Sequence, residues 1–69
     1  MPLNFANTGE ELIIRRIGGS PDVKKHLEDM GFNVGERVFV LTELGGNIIV
    51  KVKESRVALS SELARRIMV

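Results

Sequence analysis

The chain has 69 residues and a formal net charge of +1, from ten Lys and Arg against nine Asp and Glu. That length allows one domain, residues 1–69, and the charge balance excludes a strongly basic nucleic-acid arm or an acidic tail. Cysteine is absent, which excludes disulfides, thiolate metal sites and a cysteine nucleophile.

Residues 1–9 read as a lead-in, with Leu3, Phe5 and Ala6 available to a core and Asn7-Thr8-Gly9 as a turn. They carry neither a basic start nor a long apolar region, so no secretory signal is expected. No apolar run approaches the ~20 residues that span a bilayer. The expected compartment is the cytoplasm. Glu10 to Ile17 is the first strand candidate, because Leu12, Ile13, Ile14 and Ile17 give it β-branched weight. Its alternation is imperfect, so its buried face stays open.

Gly18-Gly19 breaks that run, and Ser20-Pro21 opens a helix: a serine cap followed by proline at the first helical position. Val23, Leu27 and Met30 fall on one stripe, and Lys24 and Glu28 stand four apart as a surface pair. Gly31 ends the helix, and Phe32 is placed to fold back on its last turn. Arg37 to Thr42 is the next strand, with Val38 and Val40 on one face and Phe39 and Leu41 on the other. Gly45-Gly46 supplies the positive φ that a hairpin needs before the strand Asn47 to Lys53. There Ile48, Val50 and Val52 oppose Ile49, Lys51 and Lys53. Arg56 to Leu59 is a short strand with Val57 and Leu59 on one face. Ser60 or Ser61 caps a helical turn, and Ile67 to Val69 closes the chain.

These elements predict an all-β domain. It would be a small, strongly bent barrel of about five strands, with one short α-helix over about residues 21–30 and a helical turn near residues 61–65. Pairing of Ile67–Val69 with an early strand would close it and remove exposed edges.

Catalytic chemistry finds no purchase. His26, the only histidine, sits beside the apolar stripe of the helix. Neither a second histidine nor a cysteine accompanies it, so no transition-metal site is expected. Any ion would need oxygen ligands or a second chain. Glu28 and Asp29 adjoin in sequence and point apart on a helix. Ser55, Ser60 and Ser61 have no partner histidine, and Gly18-Gly19-Ser20 lacks the lysine of a phosphate loop. Ser20 and the helix amides could hold an anion weakly, but capping is the ordinary use of such a serine. No enzyme activity, catalytic residue or cofactor is expected. Nucleic acid is not expected as a partner either. Lys51 and Lys53 share a strand face, yet only three aromatic residues exist, all phenylalanine, and Phe39 alone is placed to stack.

The informative feature is a sheet that is apolar on both sides. Phe39, Leu41 and Ile49 lie opposite the valine face. Either the helix, a loop or the Leu3/Phe5 segment covers them, or they form a contact surface.

The order of motifs resembles the FeoA family, small cytoplasmic proteins of bacterial ferrous iron uptake. The resemblance runs from Leu3 to Val69. Leu27, Met30, Gly31, Gly35 and Val38 match positions around the helix exit, and Ala58, Leu59, Ala64, Ile67 and Val69 match the closing segment. All ten are fold-defining positions. The resemblance implies an SH3-like barrel, related to the C-terminal domain of metal-dependent repressors of the diphtheria toxin repressor type. It also implies an accessory or regulatory role in iron transport through protein–protein contact with the cytoplasmic part of the FeoB transporter. The surface best placed for that contact is Phe39, Leu41, Ile49 and Lys51. A stand-alone adaptor for another protein partner is the alternative, followed by a nucleic-acid-binding barrel. The Ile67–Val69 edge and the Phe39 side both leave room for weak homo-oligomerisation.

Overall fold

Alternating burial along the strands organises the chain into two antiparallel sheets rather than one closed barrel. The computed structural model describes residues Met1–Val69. In chain order it holds a 3-10 turn (Leu3–Phe5), β1 (Glu11–Ile13), β2 (Arg16–Ile17), α1 (Pro21–Asp29) and β3 (Arg37–Leu44). Then follow β4 (Asn47–Val52), β5 (Ser55–Ser60), α2 (Ser61–Ala64) and β6 (Ile67–Met68). One sheet has the order β1-β3-β4-β5, and β2 pairs with β6 as a separate ribbon.

This corrects the expected fold in two ways. There are six strands, and the sheets do not close into a barrel. Glu10 to Ile17 is not one strand, because the chain changes partners in its middle. Ile14 still exchanges bonds with the β3 side: its N–H donates to Glu36 O at 2.9 Å, and Gly35 N–H donates to Ile14 O at 2.8 Å. The next residue donates elsewhere, from Arg15 N–H to Met68 O at 2.7 Å. Ile14 and Ile17 are both buried, three positions apart, which a straight strand of period two does not permit. The corner explains the broken alternation. The final strand does pair with an early one, through Arg16↔Met68 and Ile17↔Ile67. Its ladder stops there, and α2 carries the chain between β5 and β6 where a continuous ladder would have to run.

The helices form where the local signals place them. Ser20 Oγ accepts from Val23 N–H at 3.3 Å and caps α1. Asp22 lies in the first turn, where the helix dipole favours negative charge. Met30 is the C-cap rather than part of the helix. Gly31 follows at φ +103, donating its N–H to Glu28 O at 2.9 Å, and Phe32 N–H reaches back to Leu27 O at 3.0 Å. These two bonds are the Schellman pattern, and both Leu27 and Phe32 are fully buried beside it. The ion pair on α1 is Lys25–Asp29 at 3.6 Å, not Lys24–Glu28. Both partners are well exposed, so it contributes little. Ser60 Oγ accepts from Leu63 N–H at 3.3 Å and caps α2, a single turn.

Thirteen buried residues, all hydrophobic, make one core. Val38 and Val40 of β3, Ile48, Val50 and Val52 of β4 and Leu59 of β5 line its sheet wall. Leu3, Leu27, Phe32, Ala64 and Ile67 fill the other side. The β3–β4 hairpin turns on Gly45 and Gly46, with φ +58 and +85 between the paired residues Leu44 and Asn47. Two successive positive φ values match the twist of the strands, so β3 runs two residues beyond the expected Thr42.

Candidate functional site

The four-stranded sheet buries one face and leaves the other to solvent. Register fixes which side chains share the outer face. Glu11, Phe39, Lys51 and Arg56 form one row across all four strands, through Glu11↔Phe39, Phe39↔Lys51 and Lys51↔Arg56. A second row is Thr42, Ile49 and Ala58. Between them the β3 register shifts, with Val40 paired to Val50 and Thr42 to Ile49, so Leu41 is the extra residue of a bulge. Bulges of this kind re-aim side chains at a sheet surface.

The four residues expected at a contact surface therefore do come together. Phe39, Leu41 and Ile49 are partly buried, and Lys51 is exposed. None of them belongs to the core or to the side chains packed against it. Their neighbours Glu11, Thr42, Arg56 and Ala58 are exposed, so no element of the chain covers this face. Phe39 and Lys51 also border an open groove of about 520 Å³. Its charges balance, with Glu11, Glu36 and Glu54 against Arg37, Lys51 and Lys53. A surface of this kind, an apolar centre with a polar rim of both signs, suits protein contact better than capture of a small ion.

The fold-defining residues separate by burial. Leu27, Val38, Leu59, Ala64 and Ile67 are core, and Val69 and Met30 pack against it. Gly31 and Gly35 hold φ +103 and +89. Ala58 differs, because it stands exposed opposite Ile49 on the outer face. Sequence reading assigned it to the fold and did not select Thr42, Arg56 or Glu11. Strand pairing was the missing signal, since periodicity along one strand does not say what lies beside it. His26 is exposed on α1, and no three His, Asp or Glu side chains gather where they could share an ion.

The FeoA domain family matches residues 1–69. This chain belongs to it. A protein described as a candidate Fe(2+) transport protein A, from Methanocaldococcus jannaschii, is 37% identical over 68 residues, covering 99% of this chain and 83% of that one. The crystal structure of an iron uptake regulatory protein, FeoA, superposes with a TM-score of 0.88 at 32% identity. That match covers 96% of this chain and 88% of the other. A manganese-dependent transcriptional repressor matches with a TM-score of 0.87 and 26% identity over 97% of this chain, which spans 39% of the repressor.

Proposed function

We propose that this chain serves ferrous iron uptake, the accessory role of the FeoA family, by docking its outer sheet face onto the cytoplasmic part of a FeoB-type ferrous iron transporter. The observation that carries the reading is the partly buried apolar group Phe39, Leu41 and Ile49 on the outer sheet face beside exposed Lys51. Apolar side chains clustered on one open face mark contact sites, and a central aromatic is the usual anchor. No helix is long and apolar enough to cross a membrane. The acidic and basic residues around the groove would set orientation and rate of encounter more than affinity.

The test uses the double substitution F39D/I49D, measured for binding to the intact cognate transporter in nanodiscs. Both side chains lie outside the core, so the variant should fold while affinity falls by tenfold or more, an order-of-magnitude expectation for two buried interface anchors. A folded variant that binds like the parent would remove this face from the mechanism.

A further inference from the structure

A second concavity lies away from the outer sheet face, and its charge is one-sided. It is an open depression of about 420 Å³ where the β2–β6 ribbon meets the start of α1. Arg16, Lys24, Arg65 and Arg66 line it, and no carboxylate does. Four of the chain's ten basic residues thus converge in one place, although the whole protein carries only +1. None of the four takes part in an ion pair, since the one pair within 4.0 Å is Lys25–Asp29. Their guanidinium and ammonium groups also make no hydrogen bond to a protein acceptor.

Strand pairing sets Arg16 and Arg66 side by side. Arg16 stands opposite Met68, and Gly18 N–H donates to Arg66 O at 2.7 Å, so alternation puts Arg16 and Arg66 on the same side of the ribbon. Ile17 and Ile67 fill the opposite side and are buried in the core. Gly19, at φ +99, lies beside Arg66, since a Cβ built there would be in ordinary contact with Arg66 Cδ at 3.6 Å. Like charges fixed on one ribbon face repel, and a bound anion would relieve that. Ser20 Oγ is already engaged by Val23 N–H, so the case does not rest on the helix end.

We propose that this concavity is a binding site for a phosphate-bearing anion with at least two negative charges. Arginine forks match phosphate oxygens in pairs, and a lysine adds a mobile point charge. The lining offers only Ile17 and Met68 as apolar contacts, and Ile17 is buried, so there is no anchor pocket for a peptide side chain. The phosphate would come from a free compound or from a lipid headgroup.

The experiment is an amide NMR titration of the full chain with inorganic pyrophosphate, ionic strength held constant with sodium chloride. Saturable shifts at Gly18, Gly19, Lys24, Arg66 and Met68 are expected. R16Q/R66Q and K24Q/R65Q should each weaken affinity by about tenfold or more, as expected for lost charge-assisted bonds. K51Q/K53Q, in the other groove, should leave it unchanged. Binding to phosphatidylglycerol vesicles that pyrophosphate competes away would assign the lipid source. Pyrophosphate binding without vesicle binding would assign the free compound. Absence of saturable shifts at millimolar pyrophosphate, equal loss in K51Q/K53Q, or tighter binding of a glutamate hexapeptide at the same residues would each overturn the proposal.

Discussion

Two phenylalanines of this chain offer a controlled test of what burial is worth. Phe32 is fully buried against Leu27 at the exit of α1, whereas Phe5 is 69% exposed. Phe32→Ala removes the largest fully buried side chain of the core. Deleting a core phenylalanine costs about 3–5 kcal/mol, the lost transfer energy plus the cavity left behind. A domain of this size has a total stability of roughly 3–10 kcal/mol. The substitution should therefore consume about a third or more of it. At about 4–8 °C per kcal/mol for a domain of this size, the melting temperature should fall by roughly 12–40 °C. Phe5→Ala should change stability by no more than about 0.5 kcal/mol. Thermal unfolding followed by circular dichroism measures both on the same day and in the same buffer. An F32A protein that melts within a few degrees of the parent, or an F5A protein that loses as much as F32A, would refute the core assignment at the helix exit.

Other expectations follow from capping and backbone geometry. Ser20→Ala should cost about 1 kcal/mol in denaturant unfolding, because Val23 N–H loses its acceptor. Gly9 and Gly19 both have positive φ, but a Cβ at Gly19 would meet Val23 Cγ1 at 3.1 Å while one at Gly9 meets nothing. Gly19→Ala should therefore destabilise more than Gly9→Ala, and equal midpoints would argue against a close approach of the loop to α1. Lys53 holds φ +55 in the β4–β5 turn, so Lys53→Asn should raise stability by a few tenths to about 1 kcal/mol, read as a higher melting temperature.

What the sequence could say about this fold depended on how local each signal was. The serine and proline at the start of α1, Gly31 and Phe32 at its end, and the paired glycines of the hairpin act within a few residues, and each lies where expected. The valine face of β3 and β4 was legible for the same reason, since period-two alternation survives until the bulge at Leu41. The switch of partners at Ile14–Arg15 was not legible. It depends on Glu36, Gly35 and Met68, which are distant in sequence. The candidate site was half legible: Phe39, Leu41, Ile49 and Lys51 follow from alternation, whereas Ala58, Arg56 and Glu11 join them only through the ladder. The Arg16–Arg66 cluster was invisible for the same reason, because strand pairing alone brings residues so far apart in sequence together.

The most direct test of the docking account is an amide NMR titration of isotope-labelled protein with the intact cognate transporter in nanodiscs. The outer sheet face should respond first: broadening at Phe39, Leu41, Thr42, Ile49, Lys51 and Ala58, with α1 little changed. Broadening confined to α1 or to the β2–β6 ribbon, or none at saturating transporter, would contradict the claim that this sheet face is where the protein acts.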